Sequence, residues 1–113
     1  MDAILGEVRL FAGDYAPEGW RICDGAVLNV ADHEPLFSLI GKTYGGDGLT
    51  TFALPDLRGR VPIGAGDAAS RRAVGAKSGS ALNVGASAAA HKRMSRMALS
   101  YIIAIIGSYP EII

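Results

Sequence analysis

The side chains of this chain with the widest chemical repertoire are the carboxylates Asp24, Asp47 and Asp56, the thiol of Cys23, and the imidazoles of His33 and His91. Carboxylates do general acid and base work when their surroundings match their proton affinity to the task. Here each sits in a turn setting, Asp24-Gly25, Asp47-Gly48 and Pro55-Asp56, where aspartate commonly accepts backbone N–H groups. Asp56 with Arg58 or Arg60 reads as a local salt-bridged clasp. Cys23 lies in an apolar, alternating stretch with no adjacent base, the setting of an inert buried thiol. A hydrolase built on Asp56 and His91 would need those two side chains in contact, and it is the weakest of the chemical readings. His33 precedes a helical pattern and fits a surface or capping turn. His91 stands beside Lys92 and Arg93, which repel a cation, so a metal site would need three copies of His91 meeting on an axis. No metal and no cofactor are expected.

A phosphate site asks for a glycine loop that opens a helix, with a lysine placed to meet the anion. Gly45-Gly46-Asp47-Gly48 puts a carboxylate there, and Phe52-Ala53-Leu54-Pro55 does not continue as a helix. The glycines are better explained by a tight chain reversal. The whole run from Thr43 to Arg60 is too varied for one helix or strand and predicts a long ordered loop. Tyr44, Leu49, Phe52, Leu54 and Leu57 supply apolar anchors that a disordered segment would lack.

The elements around this loop must come from 113 residues, half of them hydrophobic, enough for one domain with a real core. Formal net charge is zero, so there is no electrostatic case for nucleic acid or an anionic membrane, and the basic run at Lys92, Arg93 and Arg96 lacks interleaved aromatics for base stacking. The charge is nonetheless divided. Acids dominate through Gly66, and after it Arg71, Arg72, Lys77, Lys92, Arg93 and Arg96 face only Asp67 and Glu111. Such a division could join chains head to tail, or seat the basic part on another protein. The lone Cys23 excludes an intramolecular disulfide and fits cytosolic folding, and the first residues carry no signal-peptide pattern. The apolar stretch from Met97 to Ile113 is broken by Ser100, Gly107, Ser108, Pro110 and Glu111, leaving it short of the roughly 20 residues of a membrane span.

Composition divides the chain into residues 1–66, 67–98 and 99–113. In the first part, Val8-Arg9-Leu10-Phe11 predicts a strand, Ala16-Pro17-Glu18-Gly19 a turn, and Trp20-Arg21-Ile22-Cys23 a second strand closed by Asp24-Gly25. Val27 to Val30 would return beside that second strand. Asp32 predicts a helix N-cap, Pro35 suits the first turn, and Leu36, Phe37, Leu39 and Ile40 form an apolar stripe stopped by Gly41. The second part is rich in alanine, serine, glycine and base, a connecting segment in which Ala86 to Met97 could form a docked helix. The third part carries Leu99, Tyr101, Ile102, Ile103, Ile105 and Ile106. It predicts a strand covered on both faces, with the second cover supplied by another subunit.

Those motifs carry a family resemblance. Gly6-Glu7-Val8-Arg9-Leu10-Phe11-Ala12-Gly13, Ala16-Pro17, Gly19-Trp20, Cys23-Asp24-Gly25, Leu36-Phe37-Ser38-Leu39-Ile40-Gly41, Thr43-Tyr44-Gly45-Gly46-Asp47-Gly48 and Phe52-Ala53-Leu54-Pro55-Asp56-Leu57-Arg58-Gly59-Arg60 follow in order. Together they resemble the phage tail collar domain, also found in microcystin-dependent proteins of bacteria. The segment around Leu99 to Ala104, with Gly107 and Tyr109-Pro110, is similar to the family's C-terminal strand. The resemblance implies a structural role, without enzymatic activity, in tail fibres, collars or baseplate tips, commonly as trimers with a receptor-binding end. It lapses between Gly66 and Leu99, where many relatives carry a longer insertion and a histidine-rich, in some fibres metal-binding, segment; this chain offers His91-Lys92-Arg93.

The expectation is therefore a small α+β, strand-rich, collar-type domain with one short helix and long ordered loops. Trp20, Tyr44, Phe52 and Leu54 would hold the loop to the core. Leu99, Tyr101, Ile103 and Ile105 would face subunits of a homotrimer, and Arg58 and Arg60 would clasp carboxylates within or between chains. Expected partners are other tail or baseplate proteins and a host surface receptor, with no nucleic acid and no membrane insertion. The expected place is a virion tail or tail-like particle after synthesis in the bacterial cytoplasm. A reading of a different class is a surface-ligand or glycan-binding module that uses the Tyr44 and Asp47 loop.

Overall fold

The computed structural model describes residues 3–66, 74–77 and 95–111. Strand β1 (Val8–Phe11) is followed by β2 (Trp20–Ile22), β3 (Val27–Asn29), a 3-10 turn (Val30–Asp32), helix α1 (Glu34–Ile40), β4 (Thr51–Ala53) and β5 (Ser100–Ala104). They build two small antiparallel sheets, one of order β1-β5-β2 and one of β3-β4. Among the described residues, one helix and two small sheets make this a strand-rich α+β domain.

The predicted β1 is found residue for residue, but the chain after β2 does not double back beside it. Asp24 donates its N–H to Ile22 at 2.9 Å, a bend of only two residues. Its carboxylate then accepts the Ala26 N–H at 3.1 Å, while Gly25 takes φ 77°, in the left-handed region that glycine enters without a Cβ penalty. Cys23 marks the crossing. Its N–H joins Tyr101 in the first sheet, and its carbonyl accepts Leu57 on the way to the second. Val27–Asn29 therefore pairs with Thr51–Ala53, and the place beside β2 goes to β5.

Asp32 is not the helix cap. The preceding 3-10 turn advances the start by one residue, so His33 holds that position without a side-chain cap bond, and its carbonyl accepts the N–H of Phe37 at 2.9 Å. The Asp32 carboxylate instead takes the Asn29 amide at 3.2 Å. Pro35 lies in the first turn and Gly41 closes the helix with φ 58°, both as predicted. Leu36 is fully buried, and Phe37, Leu39 and Ile40 pack on the core from the same stripe.

One apolar cluster joins both sheets and the helix through Leu5, Cys23, Leu28, Leu36, Phe52, Leu54 and Ile103. Phe52 is packed by Phe37 at 5.4 Å between ring centroids and by His33 at 6.5 Å. β5 stops at Ala104, well before the predicted end of the C-terminal strand. The N–H groups of Ile105 and Ile106 both point to the Gly19 carbonyl, and Gly107 passes so close to Ala3 that a Cβ there would collide with its backbone.

Candidate functional site

The run from Thr43 to Arg60 is not one irregular loop, because it contains β4. From Thr50 to Leu57 it is zipped along residues 23–30 by Val30 to Thr50, Leu54 to Ala26, Gly25 to Pro55 and Leu57 to Cys23. Its first turns, from Thr43 to Leu49, lie outside that zipper. Two of its predicted anchors, Phe52 and Leu54, are fully buried, Leu57 packs against the cluster, and Tyr44 is half-buried. Leu49 is not an anchor. It stands at the tip, 82% exposed.

Asp47 organises that tip. One carboxylate oxygen accepts the N–H groups of Leu49 and Thr50 at 2.8 Å and of Thr51 at 2.9 Å, and the other accepts the Thr50 hydroxyl at 2.8 Å. These bonds, the Thr51 N–H foremost, hold the carboxyl well below the usual carboxylate range. A side chain so committed to its own loop has little left with which to grip a ligand. Gly46 explains the glycines beside it. At φ 87° it passes so near the Phe52 backbone that a Cβ would stand 2.7 Å from its nitrogen. The tight reversal expected from sequence is thus a contact of backbone on backbone.

Asp56 and Arg58 form the expected clasp. The guanidinium donates to both carboxylate oxygens at 2.9 Å, a two-point contact that also lowers the Asp56 carboxyl to about 2. Asp24 and Asp56 meet as backbone neighbours in an isolated antiparallel bridge, not as a catalytic pair. Arg60 lies apart, on the rim of a hollow. Burial pushes the Cys23 thiol up to about 12, which suits an inert core residue. Among the described residues no group of three or more histidine, cysteine, aspartate or glutamate side chains is placed to hold a metal, and no helix is long and apolar enough to cross a membrane. His91, and the proposed helix from Ala86 apart from its last residues, fall outside the described residues.

The second cover of β5 comes from the chain itself. Register sets Arg9 and Ile22 on either side of Ile102, and Trp20 beside Ala104, all on the outer face. Arg9 reaches across β5 and lays its guanidinium 5.2 Å from the Trp20 ring centroid, while Glu7 fixes it from the other side at 2.6 Å. Trp20 accordingly caps the outer face of the sheet and does not hold the loop. Nothing in the sequence alone paired Arg9 with Trp20, because the pairing depends on β5 entering between them. On the inner face Ile103 is 1% exposed inside the core cluster, so it is not presented to a neighbouring subunit. Tyr101 and Ile105 pack against that cluster from its edge, and Leu99 stands exposed just before the strand.

An apolar opening on the surface lies elsewhere. A hollow of about 550 Å³ is walled by Tyr44, Pro55 and Leu57 on the body, by the extended arm Arg60–Gly64, and by Val74–Lys77. Around it Val61 is 75% exposed, Ile63 61% and Val74 69%. Sequence reasoning passed over this arm, although Val61-Pro62-Ile63, apolar immediately after the charged clasp, was the signal. Burial raises the Tyr44 phenol above its ordinary value at the hollow's inner wall.

A comparison with curated proteins gives no match. The family model of the Phage Tail Collar Domain matches residues 6–62, which take in β1 through β4, the Asp47 turn and the Asp56–Arg58 clasp. The family is a structural one of phage tails and not an enzyme family, which implies a virion tail location and association with other tail proteins. With half of its 113 residues matched, this chain belongs to the phage tail collar domain family.

Proposed function

We propose that the protein is a structural component of a phage tail or phage-tail-like particle, at a fibre, collar or baseplate tip, that works by assembling as a homotrimer. It is made in the bacterial cytoplasm and joins the particle there. The observation that carries this reading is the exposure of Val61, Ile63 and Val74 around one hollow, on a domain whose family is structural. Three large aliphatic side chains left in water at one place mark a surface meant for another protein. Leu99 adds to the exposed apolar surface, with Tyr101 and Ile105 behind it, whereas Ile103 belongs to the core. Host attachment then follows from position at the tip. The surface-ligand reading through Tyr44 and Asp47 has less support, because Asp47 is spent on its own turn and Tyr44 sits inside the hollow.

Immunogold labelling of purified particles from the producing cell tests this. Label at one end of the tail is expected. Recovery of the protein only in the soluble fraction, with unlabelled particles, would overturn it.

A further inference from the structure

The hollow has a defined chemistry. Its walls are mainly apolar, with the Tyr44 ring among aliphatic side chains, and the charges on its rim are Arg60 and Lys77, with Asp56 already neutralised by Arg58. The occupant that fits is an apolar or aromatic side chain flanked by carboxylates, on a segment rigid enough to enter without a large ordering cost.

The chain carries such a segment in the loop between β1 and β2. Tyr15 is 62% exposed at its crest, with the exposed carboxylates Asp14 and Glu18 on either side. The loop is braced. Phe11 meets Tyr15 edge to face at 5.5 Å, and the Gly13 carbonyl accepts the Ser100 hydroxyl at 2.7 Å. At Gly13 an added Cβ would be 2.5 Å from the Phe11 ring and 3.2 Å from the Tyr15 ring, so the backbone is packed against the two aromatics that prop it.

Resting on the reading that the protein assembles with itself, we propose that the hollow receives the Tyr15 loop of a second copy of this chain. Tyr15 enters among Val61, Ile63 and Val74, and Asp14 and Glu18 come to lie against Arg60 and Lys77. Loop and hollow are different patches of one molecule. Val8, at the start of β1, lines the hollow, while the loop leaves from Phe11 at the strand's other end, about 10 Å away at roughly 3.3 Å per residue. A contact between unlike patches is heterologous, and it builds a closed ring where the rotation between copies divides the circle, not a two-fold dimer. That is the symmetry a trimer needs.

Two sets of variants of the full chain test the docking by light scattering. Asp14→Lys with Glu18→Lys, and separately Arg60→Glu with Lys77→Glu, should each bring the mass down from three times the 11.7 kDa chain to one. All four substitutions in one chain restore the charge match and should restore the trimer. In parallel, Tyr15→Cys with Ile63→Cys should give an oxidised ladder of linked chains, which neither single variant gives, and the buried Cys23 does not compete. This second arm decides the matter if a charge variant fails to fold. A trimer that survives either charge reversal, or that gives no ladder, overturns the docking and leaves assembly through another surface standing. A hollow filled by a small ligand or an unrelated protein would produce that same result. A monomeric wild-type protein overturns both this docking and the assembly reading beneath it.

Discussion

Gly46 and Gly48 are two residues apart in the same turn and both have φ in the left-handed region, 87° and 75°. Replacing either with alanine costs about 1–2 kcal/mol for that conformation alone. What a new Cβ would meet is different. At Gly48 it approaches the Lys42 side chain, Cδ at 2.8 Å, which can swing into water. At Gly46 it comes up against the Phe52 Cα and, at 2.7 Å, both the Phe52 nitrogen and the Thr51 carbonyl oxygen. Backbone cannot swing aside. Relief means shifting β4 and with it the Phe52 ring, whose complete loss from a core costs about 3–5 kcal/mol. Gly48→Ala should therefore cost about 1–2 kcal/mol and Gly46→Ala about 2 kcal/mol more, with an upper bound near the sum of strain and ring loss. At roughly 4–8 °C per kcal/mol for a small domain, Gly46→Ala melts about 8–16 °C below Gly48→Ala. Urea and thermal unfolding followed by circular dichroism and Trp20 fluorescence measure both. Equal midpoints would refute the claim that backbone contact, and not φ alone, demands glycine at Gly46.

Other outcomes follow from the same geometry. Ile103→Ala should cost about 2–5 kcal/mol in urea unfolding, since the side chain is buried in the core cluster, and a loss under about 0.5 kcal/mol would show that it is not there. Asp47 and Asp56 both bind protons less tightly folded than unfolded, Asp47 chiefly through the Thr51 N–H and Asp56 chiefly through Arg58. Their stabilisation is thus present above the unfolded value near pH 4 and is lost as pH falls from about 4 through about 2. Asp47→Asn with Asp56→Asn should flatten that acid limb in unfolding measured against pH; parallel curves for wild type and variant would contradict it. Cys23, with its thiol held up at about 12, should resist alkylation near pH 8 until the protein is unfolded by urea, and rapid labelling of the native protein would place it outside the core.

The local parts of the fold were readable because their causes are local. Val8–Phe11 is a short, largely apolar run set between glycines at Gly6 and Gly13, and Pro35 and Gly41 fix the ends of an apolar helical stripe whatever surrounds them. The failures share another origin. Where Val27–Asn29 pairs depends on the two-residue bend at Asp24 and on β5 already filling the space beside β2, a partner nearly 80 residues further along the chain. The same distant strand decides that Trp20 meets Arg9 and that Ile103 turns inward. Asp47 and Asp56 were legible as turn and clasp residues because their hydrogen-bond partners lie within four positions. The hollow was not, since its walls come from β1, the Tyr44 turn, the arm after Arg60 and Val74–Lys77.

Self-assembly of the protein is tested most directly by the mass of the full chain in solution, measured by light scattering. A value three times the chain's 11.7 kDa, stable on dilution, is the predicted result. A well-folded protein whose mass stays at that of one chain, at the concentrations where tail proteins assemble, would contradict it.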